Sequence, residues 1–262
     1  MPLVAAFACA HTPQLLIRPP SEDRALVLRV HAAFAEVKRR LTAARPDVVC
    51  IVGGDHIEGF FLSAVPALAV FVGRQARGEF GRYRYTFDVH EPLARAIVEQ
   101  GIEAGFDLAY SQELPLDYAF YVPLHFTMPE PAVPIVPLYV NVYLPPQPTP
   151  RRCYAWGRTL RTILDARPER VALMVSGGLS HFPGTDRYAS PDFEFDRALL
   201  AALSEGRGAE TERLTGAELD KAGNVELRTW ITLLGAVGPA RAEVICYEPS
   251  WHHGNAVVAW PV

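Results

Sequence analysis

Three of the eight histidines follow directly after apolar runs of the sequence. His11 comes after FACA, His56 after VVCIVGGD, and His181 after LMVSGGLS. Imidazole titrates near neutral pH and is the commonest transition-metal ligand among side chains, so such a cluster could bind a metal or transfer protons. Because ligands bind beyond the carboxyl ends of the strands in an open α/β sheet, we expect the three rings to share one site.

Pairs of glycines precede two of these histidines. Residues 53–54 are Gly-Gly just before Asp55 and His56, and residues 177–178 are Gly-Gly just before Leu-Ser-His181. Glycine permits left-handed backbone conformations and close approach of the chain to a neighbouring group. The pattern predicts turns that direct both imidazoles back over the edge of the sheet. For any one histidine alone, a purely structural role explains the pattern equally well.

A carboxylate ligand could come from Glu226, which begins a strongly apolar helical pattern in AGNVELRTWITLL. A glutamate at that point could also be a solvated first-turn residue stabilised by the helix dipole. Asp55, beside His56, is the competing carboxylate. Two neutral imidazoles and one carboxylate form the facial triad of non-haem Fe(II) oxygenases, and the same donors describe some catalytic zinc sites. The residue types alone therefore leave both iron and zinc open.

The segments that must position these side chains are short runs rich in Val, Ile, Leu and Ala. Several lack polar alternation, as is typical of strands covered on both faces. Helical patterns lie between them, which favours an α/β fold with one central, mostly parallel or mixed sheet flanked by helices. We predict a single catalytic domain over residues 1–262, with strands at Leu3–Cys9, Val48–Val52, Leu68–Val72, Val133–Val142, Val171–Val175, Glu243–Tyr247 and Ala256–Trp260.

The helical patterns have apolar residues at a spacing of three and four. The first begins near Ser21 or Asp23, either of which could cap it. Nine of the 23 prolines fall between residues 123 and 150, which predicts a meandering connection with edge-strand character, either a surface loop or a wall of a pocket. The predicted helices are Ser21–Leu41, Glu91–Ile102, Arg151–Leu164, Phe193–Leu203 and Val225–Ala236.

The composition excludes several classes of protein. The chain is 50% apolar with a net charge of −4, so it is neither a disordered chain nor, lacking a basic stripe, a nucleic-acid binder. A transmembrane helix would need about 18 consecutive apolar residues, and none is expected here. The four cysteines are widely spaced and form no CxxC pair, which favours free thiols and a cytoplasmic location.

Short motifs along almost the whole chain resemble the class III extradiol ring-cleavage dioxygenases of the LigB type, exemplified by the catalytic β subunit of protocatechuate 4,5-dioxygenase. Each motif is weak by itself, but their order and spacing together are specific. The matching segments are His11-Thr12-Pro13, Gly54-Asp55-His56 through Phe60, Val122-Pro123-Leu124, Asn141-Val142 before Pro145 and Pro146, Arg152-Cys153-Tyr154-Ala155, Gly177-Gly178-Leu179-Ser180-His181, and Val225-Glu226-Leu227 with Trp230.

The resemblance implies a specific chemistry. In that family two histidines and a glutamate hold a non-haem Fe(II), and these positions fall on His11, His56 and Glu226. The histidine of the GGxSH element is the acid/base residue at the substrate hydroxyl, and it falls on His181. The implied reaction is the opening of a catechol-type aromatic ring with O2, in the catabolism of aromatic compounds. The implied partners are the small aromatic substrate and O2, with no nucleic acid and no membrane.

Tyr118 is the clearest departure from the family pattern. The family usually carries Asp-His-Gly before the VPL element and uses that histidine as a second acid/base residue, whereas this chain has Asp117-Tyr118-Ala119. A phenol with an ordinary pKa near 10 is a poor base at neutral pH but a good hydrogen-bond donor. Tyr118 could also merely pack. The branch of the family that acts on 2-aminophenols resembles this chain here, so an o-aminophenol substrate stays open beside a catechol.

Other residues could shape the pocket for an aromatic ring. His253, Asn255 and Phe182 are candidates to bind the substrate, and Phe60, Phe120 and Trp251 could form apolar walls, although each could also be an ordinary core or surface residue. We expect a homo-oligomer, and a separate small alpha-type subunit stays open. Two other classes remain: a zinc hydrolase with the same ligands, and a Memo-like binding protein on the same fold.

Overall fold

A computed structural model describes residues 3–60, 62–113, 115–130 and 132–262. Its main feature is an eight-stranded sheet in the order β6-β3-β7-β2-β8-β1-β10-β9, beside a separate two-stranded hairpin of β4 and β5. The strands are β1 Leu3–Cys9, β2 Val48–Gly53, β3 Leu68–Phe71, β4 Gln75–Phe80, β5 Tyr83–Asp88, β6 Ala109–Ser111, β7 Ile135–Val140, β8 Val171–Ser176, β9 Glu243–Pro249 and β10 Gly254–Trp260.

The four central strands of the sheet run parallel. β7 pairs with β2, β2 with β8, and β8 with β1, all in parallel register, while β3 and β10 join this core in antiparallel register. Strands β2, β7 and β8 are buried at every position, as expected for strands covered on both faces. The carboxyl ends of β7, β2, β8 and β1 therefore meet at one edge. The predicted α/β fold with a mixed central sheet is confirmed.

Helices cover both faces of this sheet. Helix α2 buries a stripe that includes Leu26, Val30, Phe34 and Val37, and Asp23 caps its first turn by accepting hydrogen bonds from two backbone amides. The helices are α1 Gln14–Ile17, α2 Arg24–Ala44, α3 Glu91–Glu103, α4 Tyr118–Thr127, α5 Pro150–Asp165, α6 Phe193–Ser204, α7 Gly216–Ala222 and α8 Leu227–Val237, with a 3-10 helix at Gly208–Arg213.

The proline-rich segment 123–150 differs from the prediction. Its first residues complete helix α4, which contains Pro123, and β7 lies inside the sheet between β3 and β2. The edge-strand character was therefore wrong. Pro137 removes a single ladder donor, and the burial of Ile135, Val136 and Leu138 around it keeps the strand in the core. The part of the segment that follows β7 does line the site described below.

Two further observations concern the chain as a whole. Among the described residues, no helix combines the length and apolar character that a bilayer crossing requires. All four cysteines are free thiols, and Cys9, Cys50 and Cys153 are buried in the core.

Candidate active site

The predicted residues meet at the carboxyl edge of the parallel strands. His11 follows β1, His56 follows β2, and His181 follows β8, while Glu226 immediately precedes helix α8. The Nε2 atoms of His11, His56 and His181 lie 3.2, 3.4 and 3.6 Å from Glu226 Oε1. Glu226 is 1% exposed, so it is not a solvated first-turn residue. The structure thus brings all four side chains into one cluster.

Three of these side chains form a set that could hold a metal ion. His11, His56 and Glu226 each offer one ligand atom, and these three atoms lie within 4.8 Å of one another. The part of the chain that the structure describes contains no other such group of His, Cys, Asp or Glu. The donor set fits the metal that the sequence implies, because two imidazoles and one carboxylate on one side of the ion leave the opposite side open.

The ring of His56 is fixed by Asp117. Asp117 Oδ1 accepts a hydrogen bond of 2.8 Å from His56 Nδ1, and Oδ2 accepts one of 2.7 Å from the His56 backbone amide. Asp117 also caps helix α4 by accepting from the Ala119 amide. A carboxylate behind a histidine selects the tautomer and orients the other ring nitrogen toward a metal. Nε2 of His56 is therefore the ring atom that is directed toward the cluster and free to bind a metal.

His11 and Glu226 are oriented in the same manner. His11 Nδ1 donates to Ser176 Oγ at 2.9 Å, and Ser176 in turn donates to the Ala119 carbonyl. The second carboxylate oxygen of Glu226 accepts a hydrogen bond from the Gly178 amide. In each predicted ligand, the polar atom that points away from the cluster is hydrogen-bonded to the protein. The other polar atom, Nε2 of His11 or Oε1 of Glu226, therefore faces His56.

Burial and neighbouring charges have opposite effects on the pKa values of His56 and Glu226. Burial lowers the pKa of His56, but the Asp117 and Glu226 carboxylates outweigh it and raise the pKa to about 10. Burial raises the pKa of Glu226, yet the neighbouring His11 and His181 imidazoles hold it well below its usual value. Glu226 is therefore ionised over the neutral range, in the form that binds a metal.

His181 differs from His11 and His56 in the partner of its Nδ1 atom. Its Nδ1 donates to the Leu179 carbonyl at 2.8 Å, which leaves Nε2 as an acceptor. Burial lowers the pKa of His181, despite the nearby Glu226 carboxylate. The ring is thus neutral at pH 7 and presents a basic nitrogen toward the cluster, which is the form a general base needs.

Tyr118 lies at the start of helix α4 and packs directly on the cluster. Its ring stacks on His56 at 4.0 Å between centroids and meets His11 edge-on at 5.7 Å. Burial, with a smaller contribution from Asp117, raises the pKa of Tyr118 above its ordinary value. The phenol is thus a hydrogen-bond donor at neutral pH. Tyr118 thus lies beside His56 in the lining of the cleft, and its role there stays a prediction.

Tyr143 is at the same site and was missed. It follows β7, and its hydroxyl lies 2.9 Å from His56 Nε2 and 3.4 Å from His181 Nε2 and donates to Glu226 Oε1. Burial and the Glu226 carboxylate raise its pKa well above the usual value. The signal that could have identified it is the one used for the histidines, a polar side chain just past a core strand.

The cluster opens into a cleft of about 140 Å³. His252 and His253 are both buried in its wall. Burial lowers the pKa of His253 well below its ordinary value, so this ring is uncharged. The residues that line the cleft are His11, Thr12, Pro13, Gln14, His56, Tyr118, Tyr143, His181, Pro183, Tyr188, His252 and His253.

Two predicted substrate-binding residues lie just outside this lining. Asn255 accepts a hydrogen bond of 2.7 Å from Thr12 and so supports the wall from behind. Phe182 packs beneath the Arg187 guanidinium, 3.7 Å from the ring centroid. Phe60 and Phe120 line a different pocket, and Trp251 is 49% exposed. The aromatic walls of the cleft are tyrosines instead.

Asp55, the competing carboxylate, has a structural role. Its oxygens accept hydrogen bonds from the backbone amides of Ile57, Gly59 and Phe60, at 2.8 to 3.1 Å. These bonds form the turn that carries His56 away from the strand. Asp55 is therefore not part of the ligand set.

The glycine pairs act through close approach rather than through left-handed backbone. None of residues 53–54 and 177–178 has a positive φ angle, so that part of the prediction was wrong. A Cβ atom on Gly178 would collide with the ring of His253. The missing side chain is what lets the loop before His181 lie against the wall of the cleft.

Comparisons with known proteins show which family the chain belongs to. Residues 5–258 match the family described as "Catalytic LigB subunit of aromatic ring-opening dioxygenase". A 2,3-dihydroxyphenylpropionate/2,3-dihydroxicinnamic acid 1,2-dioxygenase of Klebsiella pneumoniae is 31% identical over 205 residues, 78% of this chain and 65% of that protein. The similarly named protein 2 of Pseudomonas putida is 30% identical, over 79% of this chain and 67% of that protein.

The chain spans about two thirds of the length of these relatives. A solved structure, an uncharacterized protein from Escherichia coli K12, superposes with a TM-score of 0.68 at 17% identity, covering 98% of this chain and 99% of that one. This likeness concerns the fold alone. The family match covers nearly the whole chain, and the chain belongs to the LigB family of catalytic subunits of aromatic ring-opening dioxygenases.

Proposed function

We propose that this protein is a non-haem Fe(II)-dependent extradiol dioxygenase that uses O2 to open the ring of a catechol-type substrate. The observation that carries the proposal is the set of His11, His56 and Glu226 with His181 beside it in one cleft. A metal site alone would serve many reactions. A neutral imidazole within 3.6 Å of the same Glu226 oxygen adds the base that a catechol hydroxyl needs.

The metal would be held by His11 Nε2, His56 Nε2 and Glu226 Oε1. When bound, Fe(II) supplies a template for the aromatic substrate and O2 and stabilises the negative charge that develops during ring opening. Asp117 and Ser176 keep the two imidazoles in the ligating orientation through their hydrogen bonds to Nδ1. The side chains of the cleft would then bind the substrate and move its protons.

His181 would accept a proton from a substrate hydroxyl at Nε2. Its Nδ1–H keeps the bond to the Leu179 carbonyl, which stabilises the imidazolium that forms. The ring of His253 packs 4.3 Å from the ring of His181, whose side chain is 8% exposed, so the acquired proton is largely shielded from bulk water. The same proton is then available for return to the opened ring.

Tyr118 would donate a hydrogen bond to the second heteroatom of the substrate. Its stacking on His56 puts it beside the proposed metal ligands, in the lining of the cleft. Because its pKa is raised, it is a donor and not a base at neutral pH. A donor at this position supports a second class of substrate for the same reaction, the o-aminophenols. Their amino group can bind as the neutral amine and needs no base to remove a proton.

The test is a comparison of metals and substrates. Protein stripped of metal is reloaded without oxygen with Fe(II) or Zn(II) and then given catechols or o-aminophenols together with O2. We expect oxygen uptake and a yellow ring-opened product with Fe(II) only. Hydrolytic activity with Zn(II), without oxygen uptake for Fe(II), would favour the zinc hydrolase. Failure to retain metal and to turn over any of these substrates would favour a binding protein.

A further inference from the structure

His181 and Glu226 lie on two separate loops of the chain. His181 is in the loop that follows β8, and Glu226 is in the turn between α7 and α8. Their facing atoms, His181 Nε2 and Glu226 Oε1, are 3.6 Å apart. Catalysis depends steeply on such geometry, since a displacement of about 1 Å can cost about 100-fold in rate. Another part of the protein must therefore hold the two loops at a fixed separation.

A buried carboxylate on helix α6 joins these two loops. The side chain of Asp196 is fully buried. Its Oδ1 accepts a hydrogen bond of 3.0 Å from the Ser180 amide and one of 2.9 Å from Asn224 Nδ2. Ser180 directly precedes His181, and Asn224 stands two residues before Glu226. One oxygen atom thus contacts both loops close to the side chains that they carry into the cleft.

The second oxygen of Asp196 fixes the carboxylate itself. Oδ2 accepts a hydrogen bond of 2.8 Å from the Tyr247 hydroxyl on β9. At the start of β10, Gly254 approaches so closely that a Cβ atom there would collide with Oδ2. The Gly254 backbone also donates to the Ser180 carbonyl at 3.0 Å and accepts from the Leu179 amide at 2.9 Å. The edge of the sheet therefore sets the position of the carboxylate.

The groups that donate hydrogen bonds to Asp196 are all uncharged. They are a backbone amide, a side-chain amide and a phenol. A charge that is buried among neutral partners contributes little to stability compared with apolar residues of the same volume. A fully hydrogen-bonded network does provide a single, rigid arrangement of the groups that it joins. We therefore expect this network to act mainly on the position of the loops.

The two loops also contact each other directly. The His181 amide donates to the Gly223 carbonyl at 3.0 Å, and the Ser180 hydroxyl donates to the Ala222 carbonyl. These bonds keep the loops adjacent without Asp196. Loss of the bond between Asp196 and Asn224 should therefore shift the loops slightly and not separate them.

We propose that Asp196 is a positioning residue that fixes the distance between His181 and Glu226. It acts through Ser180 and Asn224 and does not line the cleft. The inference rests on the proposed function, because the base and the ligand are those of that reaction. Asp196 sets the rate of proton transfer, and iron and substrate bind without its help.

Asn224→Leu is the variant that tests this connection. Leucine has the branched shape of asparagine, and Asn224 Oδ1 has no hydrogen-bond partner among the described residues, so the main loss is the donor to Asp196. Tyr247→Phe is the matched control, because it removes one donor from the same carboxylate, on a strand that contributes no residue to the cleft. Asp196→Ala would remove the partner of three buried donors at once and is expected to impair folding.

The first measurements are iron content, the midpoint of urea unfolding, and steady-state kinetics with catechol and O2. In Asn224→Leu we expect kcat to fall at least about tenfold, while iron content and the KM for catechol change less than about twofold. Tyr247→Phe should lose a similar amount of stability and keep kcat within about twofold. An unchanged kcat in Asn224→Leu, equal losses of kcat in both variants, or loss of iron from Asn224→Leu overturns the inference.

A second readout needs no O2. The visible spectrum of 4-nitrocatechol changes as its hydroxyl groups lose protons, so the spectrum of the compound bound to the Fe(II)-loaded protein reports transfer of a proton to His181. We expect a smaller ionised fraction in Asn224→Leu than in Tyr247→Phe or the unsubstituted protein. Equal fractions in all three proteins overturn the inference.

Admission of O2 separates this inference from the proposed function. A smaller ionised fraction in Asn224→Leu without ring opening in any of the proteins means that the reaction is wrong while the positioning role stands. Ring opening at the same rate in all three proteins means that the reaction stands and the positioning role is wrong. Absence of bound 4-nitrocatechol from every protein overturns both.

Discussion

Asp117 accepts two hydrogen bonds from His56, one from Nδ1 and one from the backbone amide. The carboxylate also caps helix α4, and its own side chain is fully buried. One residue therefore fixes the tautomer of His56, a proposed metal ligand, and the start of the helix that carries Tyr118. This relationship connects the architecture of the fold to the geometry of the site.

Asp117→Asn is expected to weaken Fe(II) binding about 10- to 100-fold, the usual effect of losing the partner behind a ligating histidine. The amide keeps the volume but cannot accept from both the backbone and Nδ1 as a carboxylate does. Metal affinity is measured by competition with a chelator. Asp107→Asn, at an exposed position, is the control. Unchanged affinity in Asp117→Asn would show that this carboxylate does not orient a metal ligand.

Replacement of His11, His56 or Glu226 by alanine is expected to abolish metal retention and ring cleavage together. Each supplies one of only three protein ligands, so the remaining two cannot hold the ion in a fixed position. Metal content is measured per polypeptide beside oxygen uptake. His125→Gln changes an exposed histidine and should retain both. Full activity in an iron-verified ligand variant would show that the assignment is wrong.

His181→Gln should keep iron and lose about 10²–10⁴-fold in turnover, the usual value of general acid–base catalysis. The pH dependence follows from the lowered pKa of His181. Because the proton leaves at a lower pH than from an ordinary histidine, the basic form persists below about pH 6.5, and turnover should be retained to that pH before it falls. A profile that falls well above pH 6.5, or a loss of less than about tenfold, would contradict the base role.

Tyr118→Phe removes the donor and retains the ring that stacks on His56. We expect turnover to fall at least about tenfold, as for the loss of a proton donor, with iron content unchanged. Steady-state kinetics on one substrate measure this. The control is Tyr110→Phe, since Tyr110 is 63% exposed. If the two variants behave alike, Tyr118 only packs.

Gly178→Ala should destabilise the fold by about 1–3 kcal/mol, the usual cost of overpacking, because the new methyl group meets the ring of His253. Urea unfolding measures the change. At Gly216 the only atom of the described residues outside its own helix that a Cβ would approach within 4 Å is the end of the Arg228 side chain, so Gly216→Ala should change the stability by less than about 0.5 kcal/mol. Equal stabilities would mean that His253 can move aside.

The parts of the fold that could be predicted are those whose pattern is decided locally. Strand β1 was predicted with both its bounds, and α3 and α6 within one residue at their carboxyl ends, because apolar spacing and caps specify them. Helix α4 was not predicted, because it is apolar on nearly all sides and contains Pro123, so no helical period stands out. The hairpin of β4 and β5 was missed because only one of its residues, Ala76, is buried, so no apolar run marks it.

The site divides in the same manner. His11, His56 and His181 could be located because each follows a core strand directly, and they meet because those strands are parallel neighbours. Tyr143 also follows such a strand, β7. The many prolines near it predicted an edge strand, so the central place of β7 in the sheet was not expected. The contact of Tyr143 with His56 spans 87 residues, and no local pattern encodes that approach.

Isotope labelling of O2 tests most directly whether the protein opens an aromatic ring as a dioxygenase. Protein loaded with Fe(II) is mixed with catechol and isotopically labelled O2, and the product is analysed by mass spectrometry together with oxygen uptake. We expect one O2 to be consumed for each ring opened and both labelled atoms to appear in the product. A product that carries no label, or turnover that persists in Glu226→Ala, would contradict it.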